Sequence, residues 1–365
     1  MKSVSGREWG LMILDEVHVA PADMFQKVLQ IVNAHCKLGL TATLVREDNK
    51  IKDLSFLVGP KLYEANWIDL TRQGYLANVQ CVEVWCPMTK EFFAEYIRLG
   101  MGANTRTQRL LYILNPRKFR ACEYLVKYHS KRGDKIIIFS DDVPALKLYC
   151  EALDEGEFRV PYIFGDTPED IRRRYLTAFK TTSLMSCIGL SQVGDTALDL
   201  PEANVIIQVS SHFGGRRQEA QRLGRILRPK ANPTGGFNAF FYTLVSTDTR
   251  EMYFSSKRQQ YLVDQGYTFK VEQRLTDIAD KASTLLTTLD REIRLLNEVL
   301  QFKCENYDAS ETLAVGRAAV GEDDEEADAP RAEPGGAEGG ARRKASTMGN
   351  ISGADGTVYR EFDKR

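Results

Sequence analysis

Apolar residues in this chain come in short runs, and the runs are separated by stretches with helical spacing. Leu11–Leu14 reads as a strand, Met24–Val32 as a helix and Cys36–Leu40 as a second strand, followed by a polar connection toward residue 82. That alternation predicts part of a parallel-sheet α/β layer. A second alternation runs from Lys135-Ile136-Ile137-Ile138-Phe139 through Ser186-Cys187-Ile188-Gly189-Leu190 and Val205-Ile206-Ile207-Gln208-Val209 to Phe240-Phe241-Tyr242-Thr243-Leu244. Runs that are apolar at consecutive positions suit strands covered on both faces. The fold class is therefore α/β, with two parallel-sheet bodies. The first is expected to be incomplete, because a strand at Gly10–Asp15 so soon after Met1 is what a chain entered in mid-domain would show.

Three further segments break the α/β rhythm. Residues 88 to 132 set Arg98, Arg106, Arg109, Arg117, Lys118, Arg120, Lys127, Lys131 and Arg132 among Phe92, Phe93, Tyr96, Tyr112, Phe119 and Tyr124, and are expected to form a basic helical connector. From Asp280 to Phe302, Leu285, Leu286, Leu289, Ile293, Leu296, Val299 and Leu300 recur at helical spacing and predict one amphipathic helix, packed on its own domain or on a partner. Residues 316 to 350 join an acidic run, Glu322 to Asp328, to Gly, Ala and Pro and then to Arg342-Arg343-Lys344. Such composition supports no core and predicts disorder; the basic triplet reads as solvated linker charge rather than as a localisation signal, the alternative reading of such a triplet. The expected organisation is a partial first domain over 1–87, the connector over 88–132, a second domain over 133–270, a helical extension over 271–310 and a disordered tail over 311–365.

Composition changes this picture little. Hydrophobic residues make up 43% and charged residues 27% of 365, with 49 Lys and Arg against 50 Asp and Glu. Affinity for nucleic acid must then come from local patches rather than from net charge. Seven scattered cysteines without a CxxC pair fit a reducing compartment and buried thiols better than a disulfide framework. No apolar stretch approaches the roughly 18 residues of a membrane span, so no membrane partner is expected. Four dispersed histidines and no Cys/His spacing leave zinc sites and covalent nucleophiles without support.

The chemistry gathers in three motifs. Leu11-Met12-Ile13-Leu14-Asp15-Glu16-Val17-His18 delivers two carboxylates at the C-terminal end of a strand, where open α/β sheets bind ligands. Asp15 is placed to hold Mg²⁺ and Glu16 to polarise a water attacking a γ-phosphate; the plainer reading is a strand ending in a charged turn. Some 25 residues later, Leu38-Gly39-Leu40-Thr41-Ala42-Thr43 ends a strand with two hydroxyls able to link the carboxylates to a neighbouring loop. In Gln218-Glu219-Ala220-Gln221-Arg222-Leu223-Gly224-Arg225-Ile226-Leu227-Arg228, helical spacing puts Gln221, Arg225 and Arg228 on one face. Planar guanidinium groups suit the charge of a transferring phosphoryl group; the alternative is a solvated basic helix.

Together these motifs, in this order, resemble superfamily 2 helicases and translocases. Leu44-Val45-Arg46-Glu47-Asp48, Gly59 to Trp67, Val193-Gly194-Asp195-Thr196, Asp199 to Asn204 and Arg258 to Tyr267 narrow the resemblance to the xeroderma pigmentosum group B branch, over about residues 8 to 270. It implies two RecA-like domains, the first truncated, with a thumb-like connector. It also implies ATP with Mg²⁺ as cofactors, and ATP hydrolysis coupled to 3′-to-5′ tracking on DNA at promoters and in nucleotide excision repair. DNA and the other subunits of the transcription and repair factor TFIIH are the implied partners, in the nucleus. Asp15 and Glu16 match the metal and water-activating positions, His18 the coupling position, and Thr41 and Thr43 the motif linking hydrolysis to movement. Arg46, Glu47 and Asp48 match a loop implicated in DNA opening. Ser140 and Asp141 fall where the family contacts the DNA backbone, and Gly194, Asp195 and Thr196 on a loop touching strand and nucleotide.

Two departures qualify that resemblance. Gln192 stands where relatives are expected to carry Lys, which weakens one phosphate contact. No GxxxxGK[ST] loop occurs in the 365 residues, so the nest that cradles β- and γ-phosphates is expected to lie upstream in a longer protein, with this chain alone turning over ATP poorly or not at all. The competing readings are a non-catalytic DNA-binding or scaffold module, and an RNA helicase or chromatin remodeller built on the same motor.

Overall fold

The computed structural model describes residues 6–17, 23–41, 55–65, 67–100, 106–155, 158–191, 200, 202–210, 236–264 and 267–301. They contain two separate parallel sheets. The smaller pairs β1 (Trp9–Leu14) with β2 (Ala34–Gly39), with α1 (Asp23–Ile31) between them in sequence. The larger has seven strands: β3 (Val79–Cys86), β4 (Ile136–Phe139), β5 (Tyr162–Ile163), β6 (Cys187–Leu190), β7 (Val205–Gln208), β8 (Ala239–Ser246) and β9 (Thr268–Glu272). Their order is β5-β6-β4-β7-β8-β3-β9, and every neighbouring pair is parallel.

The apolar runs explain that sheet. All four residues of β4, of β6 and of β7 are buried, as expected where helices cover both faces. Alternate residues feed two cores. Ile136, Ile138, Val205, Ile207 and Leu244 face one, and Ile137, Phe139, Ile188, Ile206 and Phe241 the other. The first core is closed by α3 (Lys90–Arg98), α4 (Arg106–Ile113), α5 (Pro116–Lys131) and α6 (Val143–Asp154), through side chains such as Phe92, Leu111, Phe119 and Tyr149. The Phe119 and Tyr149 rings stack at 3.9 Å. The second is closed by Phe179 of α7 (Glu169–Thr181) and Leu262 of α8 (Arg250–Asp264). Edge strand β5 is only two residues long, a length that limits edge-to-edge pairing. A short helix, α2 (Trp67–Arg72), precedes β3.

Three differences from the sequence-based expectation have physical causes. Val79–Cys86, which falls before the boundary at residue 87, pairs with β8 and β9 and so belongs to the larger sheet. The connector helices α4 and α5 are a packed layer of that sheet, since their apolar residues, Leu110, Leu111, Phe119, Leu125 and Val126 among them, are in its first core. The single helix expected over Asp280–Phe302 is two, α9 (Arg274–Ala282) and α10 (Leu289–Gln301). The break arises because the Glu123 carboxylate accepts the amides of Thr284 and Leu285 at 3.0 and 3.3 Å and the hydroxyls of Ser283 and Thr284, taking donors that a continuous helix would use. Leu286 comes next with φ +49°. Leu295, Leu296 and Val299 of α10 pack into the first core, so the amphipathic face covers its own domain. The acidic tail lies outside the described residues.

This packing makes two stability predictions. A Cβ on Gly189 would meet Cys150 Sγ, Tyr162 Cβ at 3.0 Å and Leu146 Cδ1 at 3.2 Å; Gly189→Ala is expected to cost about 1–3 kcal/mol in urea denaturation, the usual penalty of overpacking. Burial acts to raise the Glu123 carboxyl, but hydrogen bonds from Lys127, Ser283 and Thr284 outweigh it and hold it below its ordinary value of 4.5. A depressed carboxylate contributes stability that is complete above its unfolded value and lost as pH falls through its folded one. Glu123→Gln is therefore expected to destabilise at pH 7 and to flatten the loss of stability below about pH 4.5, read by thermal melts across pH 3 to 7.

Candidate functional site

The smaller sheet brings the first two motifs to one edge. Leu14 is in register with Gly39, and beyond the strands Leu40 N donates to Leu14 O at 2.8 Å and Val17 N to Leu40 O at 2.9 Å. Asp15, Glu16 and Thr41 thus leave the sheet side by side, the carboxylates exposed and Thr41 half-buried. Asp15 Oδ1 accepts the Glu16 amide at 2.9 Å, and Glu16 has φ +51°. That left-handed conformation is uncommon for a residue with a Cβ, and such strain gathers at functional sites. Val17 is buried beneath the turn, against Gly39, where an added Cβ would come within 2.8 Å of a Val17 methyl. The glycine of Leu38-Gly39-Leu40 is what lets the turn close, a role that sequence reasoning alone did not assign. His18, Thr43, Arg46, Glu47 and Asp48 lie outside the described residues.

A second edge forms where β4 and β7 end. Asp142 starts α6, its Oδ1 accepting Ala145 N at 3.0 Å. Ser140 is fully buried. Its hydroxyl donates to Asp142 O at 2.9 Å and lies 2.8 Å from Ser210 Oγ, which accepts Asp141 N at 2.9 Å. Ser140 is thus committed inside the turn, and Asp141 stands half-buried at its rim. Ser210 was not singled out from the sequence; the only signal was its place at the end of an apolar run. Gln192, Gly194, Asp195, Thr196, Gln221, Arg225 and Arg228 lie outside the described residues.

In the basic connector, several cations are paired within the domain. Lys118 pairs with Glu251, Arg117 and Arg120 with Asp280, Lys127 with Glu123 and Arg132 with Asp134. Arg120 also binds Glu292 and, at 2.5 Å, Leu286 O. These cations bind the domain to itself, since helix α5 is packed on the sheet and its basic residues reach carboxylates of α8, α9 and α10. Phe92, Tyr96, Tyr112 and Phe119 are core residues rather than a stacking platform.

Among the described residues, none form a group of three His, Cys, Asp or Glu placed to hold a metal. Burial pushes the Cys86 thiol up to about 12 and also raises Cys122, Cys150 and Cys187, so these thiols stay protonated and unreactive. No helix among the described residues is long and apolar enough to cross a membrane. For a magnesium nucleotide, the β1–β2 edge supplies a suitable donor set: exposed Asp15, with one oxygen oriented by a backbone amide, beside Glu16 and Thr41. Hard oxygen ligands of this kind suit Mg²⁺.

Comparison with known proteins gives a consistent result. The family model described as ERCC3/RAD25/XPB C-terminal helicase matches residues 70–327, and that described as Type III restriction enzyme, res subunit, matches residues 2–46. A Schizosaccharomyces pombe relative, the General transcription and DNA repair factor IIH helicase/translocase subunit XPB, is 50% identical over 366 residues, covering 100% of this chain and 43% of its own length. The Saccharomyces cerevisiae subunit XPB/SSL2 is 57% identical over 300 residues, covering 82% of this chain and 34% of its own. The chain thus spans less than half the length of these relatives. Among solved structures, the type ISP restriction-modification enzyme LlaBIII bound to DNA aligns at TM-score 0.53 and 13% identity, over 73% of this chain and 22% of that one. S. cerevisiae Dbp5 bound to RNA and ADP BeF3 aligns at TM-score 0.51 and 14% identity, over 80% of this chain and 63% of that one. At such identities these two speak for the fold alone.

The buried Ser140–Ser210 pair makes a stability prediction. Ser140→Ala is expected to cost about 1 kcal/mol in urea denaturation, the net worth of an internal hydrogen bond, whereas a serine serving only as a surface contact would leave stability unchanged.

Proposed function

The chain belongs to the ERCC3/RAD25/XPB C-terminal helicase family, and on that premise we propose that it carries the helicase core of an ATP-dependent 3′-to-5′ DNA helicase/translocase. That motor opens duplex DNA in transcription initiation and nucleotide excision repair, in the nucleus and beside the other subunits of factor IIH. The observation that carries the proposal is the juxtaposition of Asp15, Glu16 and Thr41 at one strand edge in a chain of this family. The names of the relatives support the same reading.

ATP would supply the phosphoanhydride to be broken, and Mg²⁺ would neutralise its charge. Asp15 would hold the metal, and the Asp15–Glu16 hydrogen bond fixes the turn that would present Glu16 to the attacking water. Glu16 accepts that water's proton, a step suited to an exposed carboxylate held in place by its backbone. Gln221, Arg225 and Arg228 meet the charge on the transferring phosphoryl group. Thr41 and Thr43, with His18, link the carboxylates to movement along DNA. Arg46, Glu47 and Asp48 act in strand opening. Gly194, Asp195 and Thr196 touch strand and nucleotide, while Ser140 and Ser210 hold the turn at Asp141 that meets the DNA backbone. With no GxxxxGK[ST] loop among its 365 residues, the chain by itself is expected to turn over little ATP.

The test compares DNA-stimulated ATPase activity of this chain with that of a version extended upstream to include a phosphate-binding loop. The extended protein is expected to turn over with duplex DNA and not with RNA, and Glu16→Gln to lower its kcat by about 10²–10⁴-fold, the usual worth of a general base. An extended protein inert with every nucleic acid would replace the motor with a non-catalytic DNA-binding scaffold. Stimulation by RNA alone would make it an RNA helicase.

A further inference from the structure

Gln208 breaks the pattern of the larger sheet. On the face toward the second core, Ile188, Ile137, Ile206, Phe241 and Cys81 lie side by side across five strands, and all are apolar. Two residues nearer the strand ends, the same face reads Leu190, Phe139, Gln208, Thr243 and Glu83. The three polar members are buried, at 0%, 7% and 5% exposure. Glu83 has its contacts, since Oε1 accepts Trp85 Nε1 at 2.7 Å and Oε2 the hydroxyl of Ser255 from α8. Gln208 does not: neither its Oε1 nor its Nε2 has a hydrogen-bond partner among the described residues.

A buried amide without partners costs stability at both of its polar atoms, and an apolar side chain of the same shape removes that cost. An amide kept at such a place calls for a second arrangement in which it is bonded. The neighbours supply both halves of one. Thr243, in register with Gln208 on β8, carries a hydroxyl that can donate to Oε1. On the other side the pairing runs on past β4 and β7, with Val209 N donating to Phe139 O and Asp141 N to Ser210 Oγ, each at 2.9 Å. Asp141 therefore stands one strand over and two residues beyond Phe139, the register partner of Gln208. Strand spacing and rise put such diagonal neighbours about 8 Å apart at Cα, within the combined reach of two polar side chains. The Asp141 carboxylate is thus an acceptor available to Nε2.

We propose that Gln208 is a positioning residue for the Asp141 turn: when a DNA backbone occupies this rim, the Asp141 carboxylate turns inward and accepts a hydrogen bond from Gln208 Nε2. The inference rests on the reading that this rim meets DNA. The driving force is charge. A half-buried carboxylate beside the closely spaced phosphates of a duplex is repelled by them. The amide gives it a place away from them without protonating it, and Thr243 completes the bonding of the amide. Gln208 then stabilises the loaded rim relative to the free one, so its removal is felt in DNA affinity and not as a loss of folding stability.

Thermal melts of this chain and fluorescence anisotropy with a labelled duplex DNA test this. Gln208→Met keeps the length of the side chain and removes both polar atoms. It is expected to raise Tm by about 2–8 °C while weakening duplex affinity about tenfold, the loss of one hydrogen bond to a charged group. Asp141→Ala removes the repelled carboxylate, and in that background Gln208→Met is expected to change affinity by less than about twofold, because the two residues are coupled through the loaded state. A purely structural Gln208 would show no such dependence on Asp141. A Gln208→Met variant that melts below the parent has lost bonds already made in the free chain, and overturns the proposal. So does an affinity loss of equal size with and without Asp141, or no loss in the parent background. A parent chain that binds no duplex DNA defeats the reading of the rim itself, and the proposal falls with it.

Discussion

Burial of β4, β6 and β7 on both faces governs where this domain can place polar chemistry. Strands buried along their whole length, and apolar but for Gln208 at the end of β7, leave no side chain free to reach a ligand from the middle of the sheet, and parallel pairing sends every strand end to the same side. The residues just past each strand end then carry the polar contacts: Ser140 and Asp142 after β4, Val209 and Ser210 after β7, Ser246 and Glu251 at and after the end of β8. Each of these residues satisfies backbone groups that would otherwise be orphaned where sheet gives way to helix. The sheet interior supplies rigidity, and its rim supplies the chemistry.

The same constraint explains the charges of α5. A helix packed on a sheet has one face without water, and a cation there must find a carboxylate or lose its charge. Lys118 finds Glu251, Arg120 finds Asp280 and Glu292, and Glu123 meets Lys127 and the amides of residues 284 and 285. These contacts, with Leu295, Leu296 and Val299, make the stretch after β9 part of the domain. The connector's basic residues alternate with aromatics, and only the third dimension shows that Phe92, Tyr96, Tyr112 and Phe119 are core and that Arg117, Lys118 and Arg120 are tied to carboxylates of the same domain.

The strands of the second alternation were legible because they obey one rule, that consecutive apolar residues bounded by polar turns pack between two layers; β1 and β2 formed from the same kind of signal but stay largely exposed. Three strands of the larger sheet were not legible. Val79–Cys86 carries Gln80 and Glu83, Thr268–Glu272 carries Lys270, and Tyr162–Ile163 is two residues long, so none stands out as an apolar run. The break between α9 and α10 was hidden for a different reason: Leu285 and Leu286 keep helical spacing, while Glu123, the competitor for the amides of Thr284 and Leu285, is remote in sequence. At the site, the proximity of Asp15 and Thr41 was foreseeable from two strand ends of one α/β layer. The partners of Ser140 and Lys118 were not, since Ser210, Glu251 and Val209 lie far away in sequence and carry no motif.

Exposure divides the labour between these groups. Asp15 and Glu16 stand in water at the end of β1, with Glu16 held at φ +51° by its turn; under the proposed function they exchange water for a nucleotide and so have to start hydrated, and backbone strain holds them without covering them. Lys118, Glu251, Ser140 and Ser210 are buried at the ends of β4, β7 and β8. Groups that define the path of the chain must not exchange their partners with solvent, and burial secures that by making each lost hydrogen bond expensive. Sequence motifs mark the exposed class, because its chemistry demands particular residue types. The buried class is marked only by geometry, so it is there that a structure adds most to what a motif can tell.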